Sequence, residues 1–139
     1  MTYPVNLLLN RPECVAVITD TDEDIARAEF RVTALTRSHT LQTNEATALV
    51  QQISSLTDQI DPLEARIATM PAGAARTGEE LKLRALKRDR EELEDRQIGD
   101  SGGRSAFRRS RELEAAQRQL AAYQECRAQV QARHDSLPA

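Results

Sequence analysis

Across residues 46–70 the apolar side chains return at alternating steps of three and four: Ala46, Leu49, Ile53, Leu56, Ile60, Leu63, Ile67 and Met70. An α-helix turns once per 3.6 residues, so this spacing gathers them on one stripe. A strand would need alternation by two instead. A helix with a single apolar stripe must hide it against another helix, and repeats of seven are the seam along which long helices pack. At 1.5 Å per residue the stretch is roughly 38 Å long.

The same periodicity recurs on both sides. One stripe runs through Cys14, Ile18, Thr21, Ile25, Ala28, Val32 and Leu35, and another through Leu113, Ala116, Leu120, Tyr123, Arg127, Val130, His134 and Leu137. Between them, Leu81, Leu83, Leu86, Leu93 and Ile98 form a weaker stripe interrupted by Lys87, Arg88, Asp89 and Arg90. Setting the first stripe antiparallel to the last, with position numbers summing to 148, brings Leu35 to Leu113, Ala28 to Leu120, Thr21 to Arg127 and Cys14 to His134. The first stripe also fits the second at a sum of 81.

Punctuation divides these stripes into four predicted helices. Asn10 can cap the first, with Pro12 in its first turn and Glu13 at the capping-box position. A rival β-hairpin would pair residues 5–9 with 14–19, but places Pro12 third in a four-residue turn, where type I geometry disfavours it. Thr19, Asp20, Thr21 and Asp22 are capping types that compete with helix. The polar segment 38–43 reads as a connection, with Thr43 or Asn44 capping the next helix. Met70 and Pro71 stop that helix, and Thr77 with Glu80 forms a second capping box. Gly99, Asp100, Ser101, Gly102 and Gly103 make the most flexible connection, before a last helix over about 105–136.

These elements predict an all-α chain: an antiparallel up-down four-helix bundle built from two long helical hairpins. Residues 1–9 are an apolar lead, 10–71 the first hairpin and 72–139 the second, in a single domain. A faint repeat at an offset of 67 relates Met70–Pro71 to Leu137–Pro138, Arg66 to Arg133 and Leu63 to Val130. Composition agrees with the class. Aromatics are 3% of residues, too few for an ordinary sheet protein, and charged residues are 29%.

Charge is unevenly spread. Residues 1–71 hold five Arg and no Lys against ten acids, a net of −5, and residues 72–139 hold fourteen bases against twelve acids, a net of +2. The total of −3 argues against bulk nucleic-acid binding, while the asymmetry favours attraction between the halves of one chain or of two. Residues 5–9 are too short for a signal-peptide core, no base precedes them, and no apolar run reaches the ~20 residues of a membrane span. The expectation is a soluble cytoplasmic protein.

Catalytic chemistry finds little to work with. A di-metal carboxylate bundle needs Glu-x-x-His on two helices. Here the residues three before His39 and His134 are Thr36 and Gln131. With two Cys and two His in the chain, a zinc site would require all four together. Cys14, Arg127 and His134 share a seam, yet no third orienting group accompanies them, so a buried thiol beside a boundary imidazole is the expected arrangement. No cofactor, no metal site and no enzyme activity are expected.

Two features suit an interaction instead. Arg104, Arg108, Arg109 and Arg111 crowd eight residues after the Gly-rich connection, where a helix start also attracts anions. Leu7, Leu8 and Leu9 supply an apolar contact. The expected function is a helical building block or adaptor that self-associates or docks on a protein, the acidic half of one copy meeting the Arg cluster of another. The alternative is a nucleic-acid- or anion-binding module that uses Arg104–Arg111, although Phe107 is the only nearby aromatic for base stacking.

Overall fold

A computed structural model describes all residues, 1–139. The chain is helical throughout, without strands. A short 3₁₀ turn, Val5–Leu7, precedes three helices: α1 over Arg11–Ala68, α2 over Ala74–Ile98 and α3 over Gly103–Ser136. The β-hairpin alternative is thereby excluded.

Helix α1 starts as its sequence dictates. Glu13 N–H donates to Asn10 Oδ1 at 3.0 Å, and Glu13 Oε2 reaches back to accept from Leu9 N–H at 2.7 Å. Two backbone N–H donors at the helix start, Glu13 within it and Leu9 just before it, are thus satisfied by side-chain oxygens. At the other end Thr69 and Met70 N–H groups bond three residues back, to Arg66 and Ile67 carbonyls. Pro71 then prevents continuation.

Between these ends lies the main correction to the sequence expectation. The polar segment 38–43 is not a connection; α1 is one helix of 58 residues, so 10–71 is not a hairpin and the pairing at a sum of 81 cannot form within it. Polarity alone does not end a helix, and the segment contains neither Gly nor Pro. Its weak helix formers each cost only tenths of a kcal/mol, about 0.7 at most. Hydroxyls on either side of it are also absorbed: Thr36 donates to the Val32 carbonyl at 2.7 Å and Thr47 to that of Thr43 at 2.9 Å. Thr19 and Thr21 do the same to Val15 and Val17, which carries the helix past the acidic turn. Pro62 is inside α1 too. It deprives the Asp58 carbonyl of its helical donor, a local cost that the surrounding stripe offsets.

The chain divides into two compact units, and α1 lends one part to each: Met1–Ser38 with Ser110–Ala139, and His39–Arg109. In the first unit α1 and α3 run antiparallel. Arg11 Nε donates to the Leu137 carbonyl at 3.0 Å, and Arg127 Nε to Asp22 Oδ1 at 2.5 Å. Cys14, Thr21 and Ala28, seven residues apart, are buried against a face that includes Ala116 and Val130. Small residues here let the helices approach closely, with larger ones between them half-buried.

In the second unit α1 and α2 are antiparallel. Arg66 Nη2 donates to Glu79 Oε2 at 2.6 Å, Lys87 pairs with Glu64, and Arg90 Nη1 donates to Thr57 Oγ1 at 3.4 Å. Leu49, Ile60, Leu63 and Ile67 are the buried seam. Helix α2 contributes half-buried Leu83, Leu86 and Leu93, while its terminal apolar residues Leu81 and Ile98 are exposed. The expected capping box at Thr77 does not form. The helix begins three residues earlier, Thr77 Oγ1 donates back to the Gly73 carbonyl at 3.1 Å, and Glu80 accepts from Arg76 instead. Between α2 and α3, Gly102 is buried so closely that a Cβ would stand 1.6 Å from the Gln97 carbonyl oxygen.

Candidate interaction surfaces

The apolar lead belongs to the first unit, tied to α3 by backbone as much as by side chains. Tyr3 N–H donates to Gln129 Oε1 at 3.0 Å, Gln129 Nε2 to the Met1 carbonyl at 2.9 Å, and Tyr3 OH to the Ala122 carbonyl at 3.0 Å. Arg133 Nε holds the Leu8 carbonyl at 3.1 Å. These bonds satisfy polar groups in a stretch that has no regular structure of its own. Burial and the nearby Glu125 and Cys126 push the Tyr3 phenol above its ordinary pKa.

Beneath this strap lies a cavity of about 160 Å³ walled by Tyr3, Pro4, Val5, Leu8, Val17, Cys126 and Val130. The three predicted contact leucines therefore part company. Leu8 turns inward to the cavity, whereas Leu7 and Leu9 are 69% and 72% exposed. The alternation follows from the extended geometry that resumes after the 3₁₀ turn, with Leu8 itself in a β conformation.

The arginines are on α3. Arg104, Arg108 and Arg109 belong to the second unit and Arg111 to the first. Arg104, Arg108 and Arg111 are exposed and make no ion pair; Arg109 is half-buried. Arg104 and Arg108 share their side of the helix with Phe107, which is 68% exposed. A solvated guanidinium without a carboxylate partner keeps its full capacity for an anionic ligand.

The remaining polar members of the seams are accounted for within the fold. Cys14 is buried and Cys126 half-buried, both as free thiols. His134 Nδ1 lies 3.0 Å from Asp135 Oδ1, and that hydrogen bond, followed by one from Gln131, holds the Asp135 carboxyl below the usual range. Arg127 pairs with a carboxylate, Asp22. In the second unit a groove is lined by Asp58, Pro62, Leu63, Arg66, Glu79, Lys82 and Leu86. There the Arg66 hydrogen bond lowers the Glu79 pKa. No three His, Cys, Asp or Glu side chains stand together as a metal-binding group. No helix is long and apolar enough to cross a membrane.

One surface residue escaped the reading of the stripes. Phe30 is 78% exposed on α1, outside every apolar seam, and with Phe107 it completes the chain's phenylalanines. A large aromatic off the helical period is the signal that singles it out, since nothing in its own helix pair can cover it. Neither a protein-family model, nor a curated protein, nor a solved structure matches this chain.

Proposed function

We propose that this chain is a non-enzymatic interaction protein, a helical building block or adaptor whose outer faces are covered by a second copy or another protein. The observation that carries this reading is its surface. The chain exposes 9618 Å². Met1, Phe30, Ile98 and Phe107 are among the large apolar side chains left in solvent. A pair of helices buries one seam and leaves its flanks open, and stacking a second pair on it completes a four-helix core. The antiparallel four-helix arrangement is then formed between copies.

The chemistry of the concave regions favours the same reading. The cavity under the N-terminal strap is lined almost wholly by apolar groups, and the groove of the second unit is occupied by its own ion pairs. Neither offers a set of converging groups around a reacting atom. Nucleic acid or another anion on Arg104, Arg108 and Arg111 is the second reading, favoured by the absence of ion pairs at these exposed side chains. Its test is a salt titration of DNA and RNA binding, which must weaken steeply with salt.

Sedimentation velocity over a concentration series at low salt tests the main reading. Association into species heavier than 15.5 kDa is expected. A 15.5 kDa species at every concentration removes self-association.

A further inference from the structure

We propose that the cavity under the N-terminal strap is a binding site for a small uncharged aromatic molecule, about the size of a single ring. The cavity is built wholly from the first unit, so the proposal stands apart from self-association. Its walls, from Tyr3 to Leu8 on the strap and from Val17, Cys126 and Val130 on the helices, carry no charged side chain.

Backbone polarity is withdrawn from the strap side as well. Tyr3 N–H donates to Gln129 Oε1, and the Tyr3, Pro4 and Val5 carbonyls accept from Val5, Leu7 and Leu8 N–H at 2.8, 3.1 and 3.1 Å. The Leu8 carbonyl accepts from Arg133, the Tyr3 hydroxyl donates to the Ala122 carbonyl, and Pro4 has no N–H. Every backbone donor and acceptor of the four strap residues at the wall thus has a partner within the chain. That leaves the Cys126 thiol, a weak donor and weak acceptor, as the polar atom at the wall. A water needs about two to four polar partners, and an ion or polar ligand would lose its hydration without replacement. An uncharged apolar molecule pays no such penalty and gains by leaving water.

The volume, about 160 Å³, sets the size. An apolar cavity of about 150 Å³ takes up benzene, so one ring fits and a long acyl chain does not. The Tyr3 ring and the polarisable Cys126 sulfur favour an aromatic occupant over an aliphatic one of equal size. Val130 is 2% exposed and forms the floor, whereas Pro4 is exposed and Tyr3, Val5 and Leu8 are half-buried, so the strap side is the way in.

Benzene is the probe, with cyclohexane as the aliphatic match in size and benzoate as the charged control. Methyl 1H–13C spectra of the full chain should show saturable shifts at Val5, Leu8, Val17 and Val130 with benzene. Cyclohexane should bind more weakly, and benzoate should leave these methyls unmoved. Cys126 supplies a second readout, because Cys14 is 0% exposed and iodoacetamide acts on Cys126 in the folded chain. With the site roughly nine-tenths occupied by benzene, alkylation should slow about tenfold. Cys126→Phe places a ring of the protein's own in the space and should abolish the shifts, with circular dichroism to verify helix content. Val17→Phe makes the same test from α1, should the first variant fail to fold.

Benzene shifts confined to exposed residues such as Phe30 and Phe107 overturn the proposal. So does cyclohexane or benzoate binding as tightly as benzene, alkylation unchanged at full occupancy, or a folded Phe variant that still binds. None of these readouts depends on oligomeric state.

Discussion

Arg127 Nε donates to Asp22 Oδ1 at 2.5 Å across 105 residues of sequence, joining α3 to α1. Both side chains are nearly half exposed, so the pair is screened and its Coulomb gain is modest. A double-mutant cycle with Asp22→Asn and Arg127→Gln should give a coupling of about 0.2–1 kcal/mol, measured by urea unfolding. It should shrink in high salt. Register in this unit is carried instead by Cys14, Thr21 and Ala28, whose small buried side chains set the helix spacing.

Ile60 is the most buried large side chain, 1% exposed in the seam of α1 and α2. Ile60→Ala removes its contacts and leaves a void, and should cost about 2–5 kcal/mol of unfolding free energy. Phe30→Ala, at an exposed site, should change the stability of the monomer by about 0.5 kcal/mol or less. Equal losses at the two positions would contradict the burial pattern.

The turn between α2 and α3 depends on a missing side chain. A Cβ at Gly102 would overlap the Gln97 carbonyl, a backbone group that cannot swing away, while one at Gly103 would meet nothing within 4 Å. Gly102→Ala should therefore lower the melting temperature and disturb amide exchange around residues 97–103. Gly103→Ala should be tolerated, and it starts a helix where Ala is the better former.

Acid should loosen the second unit. The Arg66 hydrogen bond lowers the Glu79 pKa from its ordinary 4.5, so the unfolded chain binds the proton more readily than the folded one. The contribution is present above pH 4.5 and is lost as pH falls through the lowered folded value. In the first unit, Asp135, held low by His134 and Gln131, makes a separate contribution that is lost from 3.8 downward. Thermal melts should show Glu79→Gln less stable than wild type at neutral pH, with the difference vanishing in acid.

Much of the fold was legible because burial follows the helical period closely. All eight stripe residues from Ala46 to Met70 are buried or half-buried, as are those from Cys14 to Leu35 and from Leu113 to Leu137. The expected antiparallel match of Thr21 with Arg127 is realised one residue over, at Asp22. The number of helices was less legible. Segment 38–43 looks like a loop by composition, yet a loop needs a residue that cannot continue the helix; Thr36 and Thr47 on either side return their hydroxyls to helix carbonyls, and Thr43 meets the His39 ring. The interaction residues were legible only in part. Charge marks Arg104 and Arg108, but whether a leucine of the lead faces in or out is decided by its bonds to α3, as Leu8 shows.

The account turns on α1 being unbroken. A break at 38–43 would restore the connection expected there, whereas α1 runs through the segment as one helix. Backbone 13Cα chemical shifts across residues 36–45 measure this directly. Helical shifts continuous with those on either side are the predicted result, and coil values with rapid amide exchange at 38–43 would contradict it.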